Sequence, residues 1–244
     1  KRDLRCVIPV HMHGTHCDMN RLTNWAKENN VLVLEDCAQA AGLIIQDRKA
    51  GAWGDAAAFS FYPTKNLFCL GDGGAIVSNN EQIIELARSL SRYGQSQTDK
   101  YRHIRFGQNS RLDTIQSSFL MVNLEFLEEF NKKRLEIAET YLSILSEFTI
   151  PLKNYQNHIY HHFIIHFTKD NSILKAALQK KGIVTELHYP YSASSESKFG
   201  THLSFPIAEK LSISTLSLPV NPWQSKNSVE FVADSVVECL AEIS

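Results

Sequence analysis

Three side chains in the first third of the sequence have the types and spacing to do chemistry together: Asp36, Ser60 and Lys65. Asp36 follows the apolar run Val31 to Leu34, Ser60 lies in the run AAAFSF from Ala56 to Phe61, and Lys65 comes just beyond it in YPTK. A carboxylate at the end of a buried strand costs free energy unless something cationic meets it. Lys65 could do so directly, or both groups could address a ligand in the crevice between two strand ends, where open α/β sheets bind ligands. Ser60 offers a hydroxyl suited to a phosphate. An acid, a lysine and a phosphate-binding hydroxyl are what pyridoxal phosphate requires, with the lysine for a Schiff base and an Asp on the pyridinium nitrogen. At about 4 Å such a carboxylate–pyridinium pair is worth on the order of 4 kcal/mol with an effective dielectric near 20. A structural Asp36–Lys65 ion pair with an uninvolved serine satisfies the same spacing.

A second set of candidates is histidine. His11, His13, His16 and Cys17 fall close enough in sequence to raise a metal site. No carboxylate or second cluster at helical spacing supports it, and no metal is expected. His161, His162 and His166 alternate across one expected strand, so they cannot all ligate one ion.

The elements that must position these residues can be read from periodicity. Val7 to Val10 reads as a short strand. Asp18 caps a helix with an inner stripe of Leu22, Trp25 and Ala26. Val31 to Leu34 has the continuous apolar character of a strand buried on both faces. Ala56 to Phe61 and Ala75 to Ser78 are further strands, and Ile83 to Leu90 keeps helical spacing up to Gly94. Alternating strands and helices of this kind predict a mainly parallel α/β layer. Beyond residue 112 long helices carry Phe119, Val122, Leu127, Ala138 and Leu145 until Pro151 interrupts them. Tyr160 to Phe167 reads as a strand. A helix from Ile173 to Lys181 ends at Gly182, an αL cap, before a strand from Ile183 to Leu187. Asn227 with Glu230 forms a capping box for a last helix. The division expected is 1–128 for the large domain and 129–244 for a smaller α+β domain.

Composition narrows the classes. Lys and Arg number 25 against 26 Asp and Glu, so no basic surface for nucleic acid or an anionic membrane is expected. No apolar run approaches the roughly 18–20 residues that span a bilayer. No signal peptide is expected, and the five cysteines are odd in number with no Cys-x-x-Cys pair; a reducing cytoplasm is expected.

The ordered segments EDCAQA, GDAAAFSFYPTKNL and GDGGA resemble the sugar aminotransferases of the DegT/DnrJ/StrS family, fold-type I pyridoxal-phosphate enzymes. IPVHMHG upstream is similar to the family's strand followed by His-x-x-Gly. Downstream, GQNSRLDTIQSSFL and the HYP at 188 to 190 also resemble family elements. The resemblance implies an aspartate-aminotransferase-like large domain. In it Lys65 is the Schiff-base lysine, Asp36 partners the pyridine nitrogen, Gln39 lies beside the ring and its phenolic oxygen, and Ser60 binds the phosphate. It further implies that Asn109 reaches the cofactor phosphate of a neighbouring subunit, hence a homodimer with shared active sites. His188 and Tyr189 are implied at the sugar-nucleotide site. The activity implied is amino transfer from L-glutamate to a nucleotide-linked keto sugar, with Lys65 moving the proton. NSRLDTIQ looks most like members acting at C3 of a dTDP-linked 3-keto-6-deoxyhexose, since C4 members more often carry an aromatic at Ser110. After HYP the sequence YSASSESKFG departs from relatives rich in proline and histidine there. Against the family the sequence starts within the large domain, and a form so shortened is expected to expose apolar sheet surface and bind cofactor poorly. Two rival readings are a homologue that binds cofactor without catalysis and a metal-dependent hydrolase built on His11 to Cys17. Uptake of pyridoxal phosphate separates them, because a yellow protein bleached by borohydride excludes the second.

Overall fold

The computed structural model describes residues 4–147, 157–166, 170–196 and 204–243. It divides into two compact units, one of Lys1–Asn131 with Asn154–His161, the other of Lys132–Lys153 with His162–Ser244.

The first unit opens with β1 (Cys6–Val7), followed by α1 (Met19–Glu28) and β2 (Leu32–Asp36). A hairpin of β3 (Ile44–Ile45) and β4 (Arg48–Lys49) precedes β5 (Ala56–Ser60) and β6 (Gly74–Val77). Then come α2 (Glu81–Leu90), α3 (Thr114–Glu125) and α4 (Leu127–Leu145), the last of which starts in this unit. The main sheet has the order β1-β2-β5-β6; its first two pairings are parallel and the third antiparallel. This is the mainly parallel layer that the alternating pattern predicted. Asp18 caps α1 as expected, its carboxylate accepting the Arg21 N–H at 3.1 Å.

Packing corrects two expectations. The buried stripe of α1 is Met19 and Ala26, with Leu22 partly buried, whereas Trp25 is 40% exposed. One residue is a rotation of about 100°, which carries Trp25 off the face that Ala26 presents to the core. β2 is buried on one face rather than two. Val33 joins the cluster of Met19, Ala26, Leu43, Ile45 and Ala57, while Leu32 on the opposite face is 55% exposed. A second cluster, Ala41, Phe61, Leu67, Cys69 and Leu127, anchors the chain that follows β5.

The second unit contains the remainder of α4, β7 (Phe163–His166), α5 (Asn171–Lys180), α6 (Pro206–Ser214), β8 (Thr215–Leu218) and α7 (Lys226–Ile243). β7 and β8 pair antiparallel, with Phe163 opposite Leu218 and His166 opposite Thr215. Tyr141, Phe163, Ile165, Leu174, Leu178 and Leu216 are fully or nearly fully buried here. The Tyr141 ring meets that of Phe163 at 4.9 Å, and its hydroxyl donates to the Pro219 carbonyl at 2.8 Å.

Three boundaries here differ from those read in the sequence. The strand expected from Tyr160 begins only at Phe163, because Tyr160 sits at φ 43, outside extended geometry; Phe167 lies outside the described residues. The strand expected over Ile183 to Leu187 is a single bridge, Glu186 to Ser217. α7 starts at Lys226, so Asn227 is inside the helix and the cap is Ser225, whose hydroxyl accepts the Ser228 N–H at 3.2 Å. Gly182 ends α5 at φ +77, as its position after the periodic run predicted. Pro151 lies outside the described residues.

Candidate active site

Strand alternation separates two neighbouring carboxylates. β2 and β5 run parallel with Glu35 beside Ala57 and Asp36 beside Ala58. Successive side chains point to opposite faces, so Glu35 enters the core while Asp36 shares the other face with Ala58 and Ser60. Asp36 and Ser60 therefore stand at the carboxyl ends of adjacent parallel strands. The Asp36 carboxylate accepts the Ala38 N–H at 3.0 Å, which closes the turn carrying Gln39.

Lys65 lies on the turn leaving β5. Its N–H donates to the Tyr62 carbonyl at 2.9 Å, and the Phe61 carbonyl accepts the Cys69 N–H at 2.8 Å, which closes the excursion. Burial of the Lys65 amine lowers its pKa, and the nearby charge of Asp36 opposes part of that fall. The charge of Asp36 is thus felt at the Lys65 amine. The Ser60 hydroxyl accepts the Tyr62 N–H at 3.3 Å and keeps its own proton to donate. Gln39 is 7% exposed; its Oε1 accepts the His13 N–H at 2.5 Å, which directs its amide nitrogen elsewhere.

The other expected site residues are Asn109, His188 and Tyr189. Asn109 is exposed, its Oδ1 accepting from Arg111 Nε at 2.9 Å. It lines an open cavity of about 820 Å³ over β5 and β6 with Ala58, Arg88, Ser110, Arg111 and Asp113. His188 and Tyr189 belong to the second unit. There the His188 ring stacks on His162 with centroids 3.8 Å apart, His188 Nδ1 is 2.8 Å from the Ser217 hydroxyl, and Tyr189 is 48% exposed.

One buried cluster was missed in the sequence reading. Glu35, fully buried, accepts four hydrogen bonds: His11 Nε2 at 3.1 Å and Gly51 N–H at 2.9 Å on Oε2, Trp53 N–H at 2.8 Å and Gly54 N–H at 2.7 Å on Oε1. Burial alone would raise its pKa, but His11 and the three amides hold it below the usual value. Burial likewise opposes protonation of His11, yet its contacts with Cys17, Cys37 and Glu35 push its pKa up to about 11. The Cys17 N–H, 3.4 Å from Nδ1, is the weaker contact and gives way to the carboxylate in setting the proton. The glycines of this loop are required. Gly51 has φ +89, and a Cβ on Gly54 would lie 2.6 Å from the Val33 carbonyl oxygen. Among the described residues the possible metal-ligand group is therefore His11, Glu35 and Cys37, with ligand atoms within 4.8 Å, and not the run His11, His13, His16 and Cys17. Both Glu35 oxygens are already saturated by amides and imidazole, which makes this an internal ion pair. The only sequence signal for it was the bare pair of acids ending β2.

A mainly parallel sheet with an acid and a lysine at adjacent strand ends, followed by a smaller α+β unit, defines the class: the fold-type I aminotransferase architecture. The chain belongs to the DegT/DnrJ/EryC1/StrS aminotransferase family, whose pattern matches residues 1–237. It is 37% identical over 95% of its length to the dTDP-3-amino-3,6-dideoxy-alpha-D-galactopyranose transaminase of Aneurinibacillus thermoaerophilus. The crystal structure of DesV from S. venezuelae superposes with a TM-score of 0.89 at 36% identity, over 96% of this chain and 64% of that one. The structure of NtdA from Bacillus subtilis with bound cofactor PMP superposes with a TM-score of 0.86 at 26% identity, over 97% of this chain and 57% of that one. The chain spans 64% of the length of the Aneurinibacillus relative.

Proposed function

We propose that the full-length protein is a pyridoxal-phosphate-dependent transaminase moving an amino group from L-glutamate to a nucleotide-linked keto sugar. The observation that supports this reading is that Asp36 and Ser60 end two adjacent parallel strands, with Lys65, its basicity lowered by burial and partly restored by the Asp36 charge, on the turn that follows. These residues fit the cofactor: an amine whose basicity is lowered by burial, a carboxylate for a pyridinium nitrogen, and the Ser60 hydroxyl for a phosphate. Bound there, the cofactor supplies an electron sink for a carbanion at the donor's alpha carbon. Asp36 holds the proton on the ring nitrogen, and Lys65 takes and returns the proton at the reacting carbon as general base and then acid. Gln39, fixed by the His13 amide, offers its nitrogen to the ring's phenolic oxygen.

The finer reading is a dTDP-linked 3-keto-6-deoxy sugar as acceptor. It is supported by Ser110 in NSRLD and by the 3-amino sugar in the name of the Aneurinibacillus relative. The exposed Asn109 suits a homodimer in which it serves the other subunit's cofactor, and five scattered cysteines without a Cys-x-x-Cys pair support a cytoplasmic enzyme. His188 and Tyr189 are proposed to contact the sugar nucleotide. The test is Lys65→Ala in the full-length protein: it should lose both the visible absorbance of the lysine-linked cofactor and glutamate-dependent amination of dTDP-3-keto sugar. Retention of both sinks the assignment. Amination of only the 4-keto sugar by the parent would refute the C3 reading alone.

A further inference from the structure

We propose that Asn66, held by His161, is the positioning residue that aims the Lys65 amine at Asp36; this rests on the function proposed above. Asn66 directly follows Lys65 and is 3% exposed. Its amide nitrogen donates to Asn131 Oδ1 at 2.7 Å and to the Ile159 carbonyl at 3.1 Å. Both amide protons are thereby used. Oδ1 is then purely an acceptor, and His161 Nδ1, 3.0 Å away and itself in a buried ring, must be the donor.

This junction reaches the segments that carry Lys65, Gln39 and His13. Asn131 passes the connection on, its Nδ2 donating to the Ala41 carbonyl at 3.1 Å, in the turn that follows Asp36 and Gln39. Ile159 passes it the other way, its N–H donating to the Gly14 carbonyl at 3.0 Å. Gly14 has no room for a side chain, since a Cβ there would lie 2.8 Å from the His161 nitrogen, so the His13 loop is pressed onto this segment. His13 in turn fixes Gln39. One side chain thus ties the Lys65 turn to the Asp36–Gln39 turn and to the His13 loop.

The polarity of the junction argues for positioning over mere stability. Buried polar networks are often replaceable by well-packed apolar groups at no loss of stability, while their directional bonds specify one arrangement. A lysine has four rotatable side-chain bonds, and the direction its amine takes is set first by the backbone of the turn beneath it. Asn66 fixes that backbone from the next residue in the chain.

The experiment uses the full-length protein and two readouts. The first is the pH profile of Lys65 acylation by acetic anhydride in the absence of cofactor, followed at that residue by mass spectrometry. The second is the rate at which added pyridoxal phosphate becomes borohydride-trappable on Lys65. His161→Phe, which adds no charge, should lower the acylation midpoint because the amine loses the Asp36 charge that raises it, and both His161→Phe and Asn66→Asp should slow trapping at least tenfold. His161→Asn places an amide N–H the same number of bonds from the backbone as Nδ1, and should restore both readouts to within about twofold of the parent. A parent-like midpoint in His161→Phe, with parent-like trapping rates in both variants, overturns the proposal. So does equal loss in His161→Asn and His161→Phe, which would mark a purely structural site. If Asn66→Asp does not fold, the two His161 variants decide by themselves. A parent that never traps the cofactor on Lys65 overturns the proposed function, and with it this inference.

Discussion

Replacing Glu35 by Gln changes one oxygen to nitrogen in a side chain with no exposure and should nonetheless be among the most damaging conservative changes in the first unit. Each carboxylate oxygen accepts two N–H donors, His11 and Gly51 on one, Trp53 and Gly54 on the other. Whichever way the new amide is turned, its NH₂ faces two donors. Two hydrogen bonds to a charged acceptor are lost at about 1.5–3 kcal/mol each, or roughly 3–6 kcal/mol in all. That range agrees with the roughly 3–5 kcal/mol typical of removing one partner of a buried ion pair. At about 2–4 °C per kcal/mol, the midpoint of thermal unfolding should fall by roughly 6–24 °C. The pH dependence has a definite sign. Glu35 has a folded pKa below 4.5, so its share of stability is present above that value and is lost as pH falls through the depressed one. His11 has a folded pKa raised from 6.5 to about 11, so its share is complete below 6.5 and is lost as pH climbs toward 11. The gap between parent and variant should therefore be widest from about pH 4.5 to 6.5 and narrow on both sides. Guanidinium unfolding from pH 3 to 9, followed by tryptophan fluorescence because Trp53 is itself a partner of Glu35, measures it. A difference below about 1 kcal/mol near pH 6, or a gap that stays constant down to pH 3, would refute the ion-pair account.

Two further outcomes test the structure away from that pair. Gly42→Ala should cost about 2–3 kcal/mol in denaturant unfolding, since Gly42 has φ +85 and the added Cβ would meet Asn131 Nδ2 at 2.7 Å, while αL strain alone is about 1–2 kcal/mol. Ser225→Ala should cost about 1 kcal/mol, read as a lower thermal midpoint for the second unit, whereas Asn227→Ala should cost less than half of that.

What the sequence made legible was whatever depends on local periodicity. The strand ending at Asp36, the strand ending at Ser60 and the lysine beyond it could be placed because apolar runs announce buried strands. Parallel pairing then brings their carboxyl ends together without further information. The acid, the lysine and the hydroxyl had already suggested the cofactor, with a structural ion pair left open by spacing alone, and resemblance to a family favoured the cofactor. Partners distant in sequence were not legible. His11 meets Glu35 across 24 residues and Asn66 meets His161 across 95, and neither histidine carries a local signal that distinguishes it from its neighbours. The reading that grouped His11 with His13, His16 and Cys17 used proximity in sequence, but the ligand atoms that come together are those of His11, Glu35 and Cys37. The same distinction explains the small errors. A helix end is set by whichever hydroxyl reaches an unpaired N–H, so Ser225 could displace Asn227 at the start of α7 with no change in the apolar stripe. A strand end is set by where the backbone leaves extended geometry, which Tyr160 does while keeping the alternation of its neighbours. Periodicity records which face is buried; it does not record which polar atom closes an element, nor which distant side chains, here Asn131 and His161 on Asn66, hold a turn.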